Sequence, residues 1–157
     1  MHIFTQTELS QITAAVQQAE LQTSGEIVPV IYEAAFPRRL YRFVPQKFIA
    51  AYTRYTARTE FYHLGIHKTQ GRTGIVIVVF LQERRVEVVA DKGISAHYTQ
   101  NTWNELVTLI TTAAKQEQLI AGFCKAIIRC GEILGAHCPR QVDDINELPD
   151  TVKIIYR

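Results

Sequence analysis

The residues best placed to do chemistry are carboxylates and histidines at the ends of apolar stretches. Glu26 opens the run Glu26–Tyr32, and Asp91 follows the run Arg85–Ala90. Further on comes an acidic tail, Asp143-Asp144-Ile145-Asn146-Glu147-Leu148-Pro149-Asp150. Oxygen donors of this kind suit Ca²⁺ or Mg²⁺. Glu26 and Asp91 are the expected ligands. If the tail folds back, Asp143, Asp144, Asn146, Glu147 or Asp150 completes the shell. The tail has no EF-hand spacing, so only proximity in space would make it a site. His63, His67 and Lys68 are the candidates for proton transfer or phosphate binding. His63 and His67 lie four apart, a helical zinc spacing, but Gly65 between them weakens a helix and no third ligand is evident. Plainer readings stand beside these: Asp91 as a turn residue before Gly93, Glu26 as a surface charge, the histidines as surface groups and the tail as a solvated extension. No nucleophile elbow, P-loop or GxGxxG accompanies them.

Positioning these groups falls to the stretch Gly71–Ile94. Ile75–Leu81 is almost wholly β-branched or aromatic, as in a strand buried on both faces. Gln82–Arg84 is a connection of hairpin length. Arg85–Ala90 alternates and reads as a half-exposed antiparallel neighbour. Thr5 and Glu8 have capping-box spacing, so a helix starts there, with Leu9, Ile12, Val16 and Ala19 on one face and Ser24-Gly25 as its stop. Pro29 places the first strand at an edge or a bulge. A helix is predicted over residues 46–62. Thr99 caps another, with Trp103, Leu106, Val107 and Ile110 inward. A last helix runs over residues 119–137, stopped by Pro139, and residues 152–156 add a short edge strand. A helical crossover makes strands one and two parallel. The order predicts a mixed sheet with helices on both faces. Topology alone then brings Glu26, Asp91 and residues 63–69 to one edge of the sheet, where α/β proteins usually place their sites.

Length and composition fit a single globular domain over residues 1–157, with residues 139–157 as a polar C-terminal extension. The net charge of +2 conceals a division. Residues 1–37 carry four acids and no base, whereas residues 38–72 carry eight bases and one acid. Arg38, Arg39, Arg42, Lys47, Arg54 and Arg58 interleave with Tyr41, Phe43, Phe48, Tyr52 and Tyr55. Such a mixture suits an anionic membrane surface or nucleic acid. It is also what a solvated amphipathic helix shows, and no nucleic-acid motif accompanies it. No charged-then-apolar leader opens the chain, and no segment is long and apolar enough to span a membrane. Three cysteines, Cys124, Cys130 and Cys138, without a CxxC pair, read as thiols of a reducing compartment. The expected location is the cytoplasm.

Several phrases together resemble one family. Glu20-Leu-Gln-Thr-Ser-Gly-Glu-Ile27 is similar to its phrase E-x-x-T-S-G-E-I. His63–Thr69 with Gly74-Ile-Val-Ile resembles the lead into its central strand, and Arg85–Ile94 its R-x-x-x-I-x-x-D-x-G-I stretch. Trp103 lies in its following helix, and Pro139–Asp150 resembles the tail of a short branch. These resemble the TPM-domain family, over about residues 5–152. The resemblance implies a three-layer α/β/α fold, binding of calcium or a related ion, and for plant members acid phosphatase activity. Many relatives carry a membrane anchor, and some are encoded beside LemA-like membrane proteins. This chain has Gly74 where relatives often have Asn. The expected function is a divalent-ion-binding module for a protein partner, membrane-associated through that partner. The alternative is a metal-dependent phosphatase acting on phosphate monoesters, with Asp91 and Glu26 holding the ion.

Overall fold

The structure is a computed structural model that describes residues 4–156. The chain forms α1 (Gln6–Glu20), β1 (Ile27–Tyr32), α2 (Arg38–Tyr41), α3 (Gln46–His63), a 3₁₀ turn (Ile66–Lys68), β2 (Ile75–Phe80), β3 (Arg85–Ala90), α4 (Lys92–Ser95), α5 (Gln100–Lys115), α6 (Leu119–His137) and β4 (Lys153–Ile155). The four strands make one mixed sheet in the order β3-β2-β1-β4. β1 is parallel to β2 and to β4, and β2 is antiparallel to β3.

β2 is buried along its whole length, as its unbroken apolar run requires. Alternate residues divide between two cores. Ile27, Ile31, Ile75, Ile77 and Val79 pack against α1, α5 and α6 through Ile12, Val16, Leu106, Ile110, Phe123 and Ile127. Val28, Val30, Val76, Val78 and Phe80 pack on the other face against Ala57 and Phe61 of α3 and Ile66. Two cores on opposite faces of one sheet make the expected three-layer α/β/α sandwich. The expectation of an edge strand or a bulge at Pro29 needs correction: β1 is an inner strand between β2 and β4, and its register with β2 runs unbroken through Pro29. Ile75 N–H donates to Glu26 O on the β2 side, and Glu33 N–H donates to Ile155 O on the β4 side. Ladder alternation therefore turns Pro29 toward the β4 side, and β4 pairs only from Val30 onward.

Two further local expectations need correction. The first helix stops at Glu20, before Ser24-Gly25. Those residues instead receive the end of α6: Thr23 pairs with Pro139 as an isolated bridge, and Ser24 N–H donates to Cys138 O. Thr99 does precede α5, but its side chain makes no capping bond. The capping box is present as expected, with Thr5 and Glu8 each bonding the other's backbone or side chain.

Candidate functional site

The sheet edge predicted to gather the site exists. Gly74 O accepts from Asp91 N–H, and Glu26 O accepts from Ile75 N–H, so Glu26, Gly74 and Asp91 stand side by side at the ends of three adjacent strands. The edge divides into two different environments.

Asp91 is buried and fully engaged. Its two oxygens accept from Arg72 Nε (2.7 Å) and Nη2 (3.0 Å). It also accepts from Lys92 N–H as the N-cap of α4. The ion pair raises the Arg72 pKa through this hydrogen bond. Arg72 reaches it from a left-handed backbone conformation, φ 52°. An ion shared between Asp91 and Glu26 would compete with this pairing, since both Asp91 oxygens already accept from a guanidinium or a backbone amide.

Glu26 is the centre of the other environment. It is 3% exposed. Oε1 accepts from Glu147 N–H at 2.8 Å, the Leu148 amide lies close to the carboxyl, and Oε2 is buried without a hydrogen bond of good geometry. The acidic tail does fold back onto it. A cavity of about 190 Å³ beside Glu26 is lined by Glu20, Asp144, Asn146 and Asp150, with Thr23, Gly25 and Arg140. Glu20 Oε1 accepts from Ile27 N–H, and its carboxyl shares a proton-favouring contact with Asp150. Asn146 Nδ2 donates to Asp150 Oδ1. Arg140 supplies the cationic side chain of the lining, with Nε 3.9 Å from Asp144 Oδ2.

Burial pushes the Glu20 carboxyl from 4.5 up to about 9, with the Glu26 and Asp150 charges adding to it and the Ile27 amide opposing. Burial likewise pushes Glu26 up to about 7, with Glu147 and Asp144 adding and the amides of Glu147 and Leu148 opposing. The site thus holds protons at neutral pH. Two helix C-termini converge there, α1 at Glu20 and α6 at Cys138, and their carbonyl ends add negative potential.

The other sequence candidates are dispersed. Asp143 is exposed and outside the cavity lining. The Glu147 carboxylate turns outward to accept from Gln70 N–H. His63 is exposed, with Nδ1 4.0 Å from Glu60 Oε1. His67 lies against the Tyr62 ring, centroids 5.1 Å apart, and Lys68 is exposed. These three do not form one constellation with Glu26. Among the described residues no three His, Cys, Asp or Glu side chains stand in a ready metal-holding arrangement. Sequence reasoning missed Glu20. A charge at a helix end reads as solvated, yet Glu20 stands in the quoted phrase together with Thr23, Gly25 and Glu26. The structure gives that phrase a physical meaning. Glu20 binds the amide that starts β1, Thr23 Oγ1 donates to Cys138 O (2.6 Å), and Gly25 N–H donates to Thr23 Oγ1.

A mixed four-stranded sheet covered by helices on both faces, with a carboxylate cavity at one strand end, places the molecule among three-layer α/β/α proteins. The family model described as the TPM domain matches residues 1–133, and the chain belongs to that family. The solution NMR structure of the BA42 protein from the psychrophilic bacterium Bizionia argentinensis is similar, with 25% identity and a TM-score of 0.79 over 98% of this chain and 97% of that one. A search of curated proteins found no match. Glu20 and Glu26 lie inside the family match, whereas Asp144, Asn146 and Asp150 lie beyond residue 133.

Proposed function

We propose that the cavity at Glu26 binds a divalent cation, Ca²⁺ or Mg²⁺, and that the loaded loop serves as a docking surface for a protein partner. The observation that carries this reading is the buried Oε2 of Glu26, without a hydrogen bond of good geometry, beside a cavity lined by the Glu20, Asp144 and Asp150 carboxyls, the Asn146 amide and the Thr23 hydroxyl, with Arg140 as its one cation. Leaving a buried carboxylate oxygen unbonded is costly unless a proton or a cation satisfies it. All-oxygen donors favour a hard cation. Glu26 and Glu20 would hold the ion from the body of the domain, with Asp144 and Asp150 turning in from the loop. Val142 and Ile145, 109% and 77% exposed, stand on that loop and supply apolar contact area for the partner.

The test is calcium titration followed by calorimetry and by thermal unfolding. The protein should bind one ion with release of about one proton or more near neutral pH, because two carboxyls protonated there must ionise. Glu26→Gln should stay folded and lose the ion-dependent rise in Tm. Asp91→Asn should keep it. An unchanged calcium response in Glu26→Gln would sink the reading.

Hydrolysis of phosphate monoesters is the second reading, and it required Asp91 as a ligand. The Arg72 pair engages both Asp91 oxygens and would compete with an ion for them. The ion-binding module predicts no EDTA-sensitive turnover of a phosphate monoester.

A further inference from the structure

The acidic cavity lies where β1 starts, and the most unusual surface lies where β1 ends. The chain leaves Tyr32, turns, and forms the knuckle Pro37–Phe48, made of α2, a turn and the first residues of α3. Leu40, Phe43 and Phe48 on it are 58%, 75% and 56% exposed. Arg38, Arg39, Arg42 and Lys47 are interspersed with them and exposed. From residue 34 to residue 59 the chain holds six bases and no acid. Arg38 contacts Glu33 at 3.6 Å. Arg39, Arg42 and Lys47 have no ion pair among the described residues, and Arg42 and Lys47 lie over the Phe43 and Phe48 rings.

This knuckle is held in place at its root. Buried Glu83 accepts from the amides of Ala35 and Phe36, and Gln82 Nε2 donates to Phe36 O at 2.8 Å. The Phe36 ring packs on Tyr52 of α3 with centroids 4.4 Å apart. The apolar side chains are therefore presented by an ordered scaffold. Scattered exposed apolar residues need no explanation, but three large ones set among unpaired bases on one projection do.

We infer that the Pro37–Phe48 knuckle docks the protein on an anionic phospholipid surface. Leu40, Phe43 and Phe48 insert into the headgroup boundary, while Arg39, Arg42 and Lys47 meet lipid phosphates. Charge complementarity selects this occupant, since the segment has no acid of its own to oppose it. Single-stranded nucleic acid fits less well. Its binders use flat aromatic platforms, and here both faces of the sheet are covered. Docked this way, the acidic cavity at the opposite strand end faces away from the lipid.

The experiment is sedimentation of the full chain with vesicles of phosphatidylglycerol and phosphatidylcholine, and with phosphatidylcholine alone, at low and high salt. Binding is expected on the anionic vesicles only and should weaken with salt. Arg39→Gln with Arg42→Gln should weaken partitioning about 25-fold, since each base near an anionic surface contributes about fivefold. Phe43→Ser keeps every base and should weaken it about tenfold through lost insertion. All these positions are exposed, so far-UV dichroism and Tm should match the wild type. No pelleting with anionic vesicles at low salt, or equal pelleting with neutral ones, overturns the inference. So does unchanged vesicle binding by Phe43→Ser alongside tighter binding to a single-stranded RNA oligonucleotide.

Discussion

Glu20 and Glu26 hold protons more tightly in the folded state than an ordinary glutamate does, at about 9 and about 7 against 4.5. A folded state that binds more protons than the unfolded chain loses stability as pH rises. The loss begins near 4.5, where unfolded glutamate ionises, and continues to about 7 for Glu26 and about 9 for Glu20. In the absence of divalent ions, Glu20→Gln should therefore raise Tm more at pH 8 than at pH 5, which a pair of thermal melts will check. Calcium should reverse the trend, because the ion competes with those same protons. Asp91 behaves differently. With a guanidinium and an amide on its oxygens, Asp91→Asn should cost about 1–2 kcal/mol in a urea titration, since Arg72 is 39% exposed and can turn to water. The carboxylates of the site were legible as residue types, but their division was not. Arg72 reaches Asp91 across a hairpin register and through a left-handed residue, and neither leaves a periodic signal in the chain.

At the scale of elements, the long helices and the central hairpin are nearly written out. α6 runs over the predicted residues because its apolar positions repeat at helical spacing between Gln118 and Pro139, and β2 because its β-branched run has no polar face to expose. What could not be read was how closely α6 approaches α1. A Cβ on Gly131 would stand 2.6 Å from Ala19 Cβ and 2.8 Å from Ala19 Cα, so the two helices meet almost backbone to backbone. Gly131→Ala should cost about 1–3 kcal/mol as these helices are pushed apart, visible as a lowered urea midpoint. Gly74 tells a similar story in the sheet. A Cβ there would collide with the Ile66 side chain, so the glycine is matched by a buried isoleucine above it. Short elements were the least legible. α2 and α4 have four residues each, too few to show a period; α4 is started by the Asp91 cap, whereas α2 has neither a side-chain cap nor a buried residue.

For the molecule as a whole, the sheet separates two charged ends. The acidic cavity sits where β1 begins and the basic knuckle where it finishes. The uneven charge along the chain anticipated this separation. Its direction required the topology, because α3 carries part of the basic block back toward the acidic edge. Family membership was visible in the phrase Glu20–Ile27, and only the fold shows that its Glu20, Thr23 and Glu26 are grouped around the end of α6.

The loop that carries Asp144 and Asp150 is fastened at both ends. At one end Thr23 and Ser24 hold Cys138 and Gln141, and at the other β4 pairs with β1 while Lys153 Nζ reaches Glu60 Oε2 at 3.1 Å. A tether fixed twice samples few shapes, so part of the ordering cost of ion capture is already met by folding. Three residues of edge strand, distant from any ligand, thereby become a control on affinity. Ending the chain after Asp150 takes Val152, Ile154 and Ile155 from the rims of the two cores, so it should lower Tm modestly, and it should weaken calcium binding severalfold in calorimetry. Conversely, loading the loop should slow exchange of the β4 amides. Whatever pulls that last strand from the sheet edge would, on this arrangement, empty the cavity at the far end of β1.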